Sequence, residues 1–187
     1  MMMRADGSGM KSIVIDELAE CVKNVSEKEF EELADEIRPD RRIVCDGAGR
    51  SRLQIQGFAM RLAQMGFQSS VVGDVTATAL KTGDLLFVCS ASGETPALVE
   101  HAGKAKDIGA EVVLITASEN SALSVYADKK VVVRSSSKRA ATAFSVQPMG
   151  SLFEQSIGIL CDSMVLYLMK KYNISSDDMY DRHANLE

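Results

Sequence analysis

The 187-residue chain has no Trp, and Phe and Tyr are few. Histidine is scarce as well: His101 and His183 are the only two. That leaves a histidine-built metal site short of ligands. The four cysteines, Cys21, Cys45, Cys89 and Cys161, stand far apart in apolar contexts and form no C-x-x-C pair. No zinc site is expected from them; the pattern is that of reduced, buried thiols in a cytoplasmic protein. Neither a metal nor a cofactor is expected. There is no block or stripe of basic residues, and the net charge is −5. Both argue against a nucleic-acid partner. No signal peptide is present and no apolar run reaches transmembrane length, so no membrane partner is expected either.

What the chain has in plenty is Val, Leu, Ile, Ala and Met, a composition that suits packed α/β layers. Its length fits one domain with a sizeable core. Residues 1–9 read as a Gly/Ser-bearing leader outside the fold, and residues 10–187 as the domain.

The pattern is organised around Ser90-Ala91-Ser92-Gly93-Glu94-Thr95. This stretch follows an apolar run, residues 84–89, with the length and composition of a buried parallel strand. After Pro96, residues Ala97, Leu98, Val99, Ala102, Ala105 and Ile108 have helical spacing, closed by Gly109. Thr95 is the expected N-cap. Pro96 suits the first helical position, where its missing N–H would have had no partner. The result is a strand-to-helix turn with three hydroxyls, a glycine and the free N–H groups of a helix start. Such a turn suits a phosphate, or it is an ordinary turn with a Ser/Thr cap. It has no Gly-Lys-Ser/Thr ending and is not a Walker A loop.

In order, residues 10–25 read as an amphipathic helix. Ser26-Glu27-Lys28-Glu29 reads as a capping box opening a second helix, with Pro39 just past its end. Residues 42–45 are a strand and Gly47-Ala48-Gly49-Arg50-Ser51 a turn. A helix follows through Leu53, Phe58, Met60, Leu62 and Met65, stopped by Gly66. Residues 67–72 are a strand and 76–80 a short helical turn. Residues 111–116 are a strand, 121–127 a short helix, 130–134 a strand and 135–145 a polar loop carrying Lys138 and Arg139. Residues 149–172 form a helix apolar almost all round, which in a chain this short calls for a subunit interface as cover. Residues from 175 onward form a last short helix carrying His183. Five strands alternating with helices mean a three-layer α/β/α domain around a five-stranded parallel sheet. The two strand–turn–helix units, at Gly47 and Ser90, both put their turns at the carboxyl ends of strands, where ligands of open α/β sheets bind.

Several residues admit two readings. The first turn begins like a dinucleotide fingerprint, but Arg52 replaces its third glycine. It is either a second set of phosphate or sugar contacts, from backbone N–H, Arg50 and Ser51, or a glycine turn capped by Ser51. Glu154 lies among Leu152, Phe153 and Ile157. It is either a desolvated base or a first-turn acid facing the helix dipole. His183 is either catalytic or surface. His101 reads as solvated face, and Lys138 and Arg139 as loop charges able to help hold an anion.

Taken together, Gly47-Ala48-Gly49-Arg50-Ser51, Phe58-Ala59-Met60-Arg61-Leu62, the 90–95 stretch, Gln147-Pro148-Met149-Gly150-Ser151-Leu152-Phe153-Glu154 and Arg182-His183-Ala184-Asn185-Leu186-Glu187 resemble the sugar isomerase (SIS) family. The last two segments resemble its hexuloisomerase branch. The chain departs from that branch at Arg52 and Ala91, where glycine is more usual. The resemblance implies a cytoplasmic enzyme of the ribulose monophosphate pathway. It would interconvert 3-hexulose 6-phosphate and fructose 6-phosphate by proton transfer through a cis-enediol. It implies Glu154 as the base and His183 as a second catalytic group that can reach a neighbouring subunit's site. Gly49, Arg50, Ser51, Ser90, Ala91, Ser92, Gly93, Glu94 and Thr95 would hold the sugar phosphate. It also implies a homotetramer. The alternatives are another phosphosugar aldose–ketose isomerase, or a non-catalytic module that binds a sugar phosphate. Regulators of the second kind carry a helix-turn-helix domain, for which this chain has neither the length nor the basic residues.

Overall fold

The structure, a computed structural model, describes residues 9–135 and 145–186. The polar loop with Lys138 and Arg139 falls almost wholly outside the described residues. Five parallel strands form one sheet: β1 (Ile43–Gly47), β2 (Ser69–Val71), β3 (Leu85–Ser90), β4 (Glu111–Thr116) and β5 (Lys129–Val132), in the order β2-β1-β3-β4-β5. The order reverses between β1 and β3, which makes their carboxyl ends the switch point of the sheet.

Strand alternation sorts side chains into two layers. Ile43, Cys45, Leu85, Phe87, Cys89, Val113 and Ile115 join the larger core, with α1 (Met10–Lys23), α2 (Glu27–Ala34), α3 (Gly49–Gln64) and α5 (Ser151–Tyr172). Val44, Leu86, Val88, Val112 and Leu114 face the other way, toward α4 (Pro96–Ile108) and a 3₁₀ turn at Leu123–Val125. The last helix, α6 (Ser176–Tyr180), packs against α3. The expected three-layer α/β/α architecture is therefore present, with an uneven division of helices. All four cysteines are free and buried. Burial pushes the Cys45 thiol up to about 12 and those of Cys89 and Cys161 well above the ordinary thiol value.

Helix α5 is long and apolar enough to cross a membrane by length and composition, but its packing against α1 and α3 is that of a core helix. It begins at Ser151 rather than Met149, because Met149 has φ 60° and so cannot continue a right-handed helix. Ile159 and Leu166, seven residues apart on α5, remain exposed. So do Leu53 and Met60, seven apart on α3. The buried face of α3 is Ile55, Phe58, Ala59 and Leu62 instead.

Three expected elements differ. Residues 76–80 form no helix: the Asp74 carboxylate accepts from Val71 N–H and its carbonyl from Ala77 N–H, a local turn that competes with helix. Residues 121–127 shorten to the 3₁₀ turn, because the Ser121 hydroxyl bonds Ser124 and the Gly93 carbonyl takes the Leu123 N–H. Helix α6 stops at Tyr180, after which Arg182 and His183 make i→i−3 bonds, leaving His183 outside the helix. The Ser26 hydroxyl does cap α2, accepting from Glu29 N–H.

Candidate active site

At the carboxyl end of β1 and β3 lies a cavity of about 410 Å³. The first turn contributes Ala48 and Ser51. The second contributes Cys89, Ser90, Ala91, Ser92, Glu94, Thr95 and Leu98, and the start of α5 contributes Gly150 and Glu154. Three helices begin here, and their N-cap residues, Ala48, Thr95 and Gly150, make no side-chain capping bond. Their first-turn N–H groups and the positive ends of their dipoles are thus directed at one cavity. An anion is the natural complement, even in a chain with net charge −5.

The first turn opens on Gly49, whose φ of 58° is easy only for glycine. Ser51 is not a cap; it is the third residue of α3, buried, and lines the cavity. Arg50 lies beside the cavity and reaches across to α5. Its Nη1 is 3.2 Å from the Ser151 Oγ and 2.9 Å from Glu154 Oε2. Arg52 turns to the sheet edge and donates to the Val72 carbonyl at 2.6 Å.

The second turn is internally braced. Gly93 and Glu94, whose N–H groups were expected to meet a phosphate, donate those N–H groups to the Ser90 and Ser92 hydroxyl oxygens, both at 3.2 Å. This leaves the hydroxyl protons of Ser90 and Ser92 free to donate into the cavity. The helix-start N–H groups expected from the sequence are those of Ala97 and Leu98, the first after Pro96. The Glu94 carboxylate is turned away to accept from Ala122 N–H at 2.9 Å. Gly93 has φ 66°, and a Cβ there would sit 2.1 Å from the Ser121 Oγ, so only glycine fits.

Glu154 is both things the sequence allowed: an acid in the first turns of α5 and a desolvated group, with its side chain 7% exposed. Its Oε2 is in ion contact with Arg50 without a hydrogen bond, and has no hydrogen-bond partner among the described residues. The segment ahead of it is tied to α1 by Glu17, which accepts from Ser145 Oγ, Val146 N–H and Gln147 Nε2. Burial works to raise the Glu17 pKa, but these bonds outweigh it and hold the carboxyl below its ordinary value.

His183 does not reach this cavity. It is exposed, with Nδ1 2.8 Å from the Ala184 carbonyl, and its neighbour Arg182 bonds Gln64 at the far end of α3. That helix has 16 residues, which puts the far end about 24 Å from the cavity. His101, expected on a solvated face, instead places Nδ1 2.7 Å from the buried carboxylate of Asp46. No group of three or more metal-ligating side chains occurs among the described residues.

Fold and site together define an open parallel α/β domain that can take an anion at the carboxyl edge of its sheet. Residues 36–158 match the SIS domain, and the chain belongs to that family. It is 38% identical over 176 residues to the 3-hexulose-6-phosphate isomerase of Bacillus subtilis, covering 93% of this chain and 95% of that one. It is 36% identical to the enzyme of the same name from Mycobacterium gastri, covering 94% and 89%. A Methanococcus jannaschii protein, whose crystal structure inferred a function of 3-hexulose-6-phosphate isomerase, superposes with a TM-score of 0.82. The two are 28% identical, over 95% of this chain and 99% of that one.

Proposed function

We propose that the chain is an isomerase interconverting 3-hexulose 6-phosphate and fructose 6-phosphate. The observation that carries the reading is a single cavity holding three uncapped helix starts, the Ser90 and Ser92 hydroxyls and a buried carboxylate with an unbonded oxygen. The phosphate is held by the hydroxyls of Ser90, Ser92 and Thr95 with the N–H groups at the start of α4. Ser51 and Arg50 meet the sugar, and Glu154 faces its reacting carbons. Glu154 takes the C2 proton and returns it at C3 through a cis-enediol, while a hydroxyl proton moves from O2 to O3. Holding the phosphate keeps C2 and C3 in register with one base. The step needs no redox partner, since C2 is oxidised as C3 is reduced.

The assembly is a homotetramer in this reading. Leu53 and Met60 on α3, with Ile159 and Leu166 on α5, put exposed apolar residues at heptad spacing on two helices that pack together, which supports a subunit contact there. His183 then serves a neighbouring subunit's site, because its own is out of reach. The test is conversion of 3-hexulose 6-phosphate to fructose 6-phosphate by the purified protein, with light scattering on the same sample. A protein that binds fructose 6-phosphate without converting it is a binding module, and a monomer at micromolar concentration removes the role given to His183.

A further inference from the structure

One charged cluster built into the fold has no part in the chemistry above. Asp46, the fourth residue of β1, stands in register with Val88 of β3. Strand alternation turns it, like Val44 and Val88, toward the α4 layer and away from α5. Its side chain is 1% exposed. A buried carboxylate costs free energy unless hydrogen bonds and opposite charge offset its lost hydration. Here Oδ1 accepts from Gly47 N–H at 2.9 Å, and Oδ2 lies 2.7 Å from His101 Nδ1. Arg52 on α3 adds a positive charge from a third side while its own guanidinium is held on Val72.

The connectivity of these bonds is what matters. Gly47 leads into the first turn, and His101 sits on the helix that the second turn starts. One carboxylate therefore ties the backbone of one ligand turn to the helix of the other, across β1 and β3. Neither Asp46 nor His101 lines the cavity. We propose that Asp46 and His101 are a positioning pair that sets the spacing of the two turns between which a phosphosugar is held; this rests on the phosphosugar reading above. A ligand that touches the second turn alone does not feel that spacing. One that spans both turns does.

The test compares two probes, inorganic phosphate and fructose 6-phosphate, by calorimetry on the wild type, His101→Leu and His101→Asn. The His101 side chain is 35% exposed, so these changes leave the core packed. Loss of the bond to Asp46 in His101→Leu weakens fructose 6-phosphate about tenfold, as expected for one bond to a charged group, and leaves inorganic phosphate unchanged. Asn can place an amide N–H near the position of Nδ1, so His101→Asn recovers most of the loss. In turnover the His101→Leu defect appears in KM and not in kcat. The proposal is overturned if His101→Leu binds fructose 6-phosphate as the wild type does, if it loses both ligands alike, or if Asn does not rescue. Should His101→Leu fail to fold, Asp46→Asn read with the same two probes decides by the same criteria. A wild type that binds fructose 6-phosphate but turns over no 3-hexulose 6-phosphate sinks the enzymatic reading and leaves this one standing. A wild type that binds neither probe sinks both.

Discussion

Glu154 and Asp46 are both buried carboxylates at the carboxyl end of the sheet, on opposite faces of it. Asp46 is fully partnered: a backbone N–H on one oxygen and an imidazole on the other. Glu154 is not. Its Oε2 has an ion contact with Arg50, itself 55% exposed, and no hydrogen bond among the described residues. Buried polar groups are normally satisfied, and the exceptions collect where a ligand or a reaction completes the set. The difference is the physical ground for proposing Glu154 as the base and Asp46 as a positioning group.

The comparison breaks first at Glu154. Glu154→Gln keeps shape and polarity but cannot accept a carbon-bound proton. It is expected to lose about 10²–10⁴ in kcat with fructose 6-phosphate binding retained and the fold intact. Exchange of the substrate carbon proton in heavy water is the direct readout, and wild-type exchange in this variant would make Glu154 a structural first-turn acid. Asp46→Asn, the matching change on the other face, should stay within about tenfold of wild-type kcat, since Asp46 touches neither cavity nor substrate.

Next in size are two changes at the second turn. Gly93→Ala forces a Cβ against Ser121 at a positive φ, so the brace of the turn must break. The expected outcome is a rise in KM above that of any single hydroxyl deletion, measurable in steady-state kinetics. Ser90→Ala with Ser92→Ala removes two hydroxyl donors from the phosphate and should raise KM about tenfold to a hundredfold, with the thermal midpoint nearly unchanged. An unchanged KM in the double variant would move the phosphate elsewhere.

The smallest expected effect sharpens the contrast from the other side. Burial raises the Asp46 carboxyl above its ordinary value of 3.8, with His101, the Gly47 N–H and Arg52 pulling the other way. An acid with a raised folded pKa contributes stability that is fully present below its unfolded pKa and is lost as pH rises through the folded one. The unfolding free energy of the wild type relative to Asp46→Asn should therefore increase as pH is lowered from neutral to below 3.8. Urea unfolding across that range reads it. A flat difference would mean that Asp46 is as well solvated folded as unfolded.

Much of the fold was legible before any coordinates. The apolar runs at 84–89 and 111–116, the Thr95-Pro96 helix start and the Gly109 stop are local signals, and the elements formed there, the first strand shifted by one residue to Leu85–Ser90. The elements that differed were short ones, at 76–80 and 121–127, where Asp74 and Ser121 tie the backbone into turns, and the last helix, which stops before His183. Position on the chain also misled about faces. Leu53 and Met60 belong to the apolar pattern of α3 yet lie outside.

The sequence by itself determined the layer architecture, the two strand–turn–helix units, the placing of Ser90 and Ser92 between β3 and α4, and that of Ser51 and Glu154 in the first turns of their helices. These depend on periodicity of 2 or 3.6 residues and on capping chemistry, which act over a few residues. Only the tertiary structure decided that the starts of α3, α4 and α5 meet in one cavity, that Arg50 faces Glu154, and that Asp46 and His101, 55 residues apart, share a hydrogen bond. It alone decided that His183 lies at the opposite end of α3. Those outcomes follow from strand order and from which face of the sheet each side chain is turned to. Both are set by packing of distant segments and leave no mark on local composition.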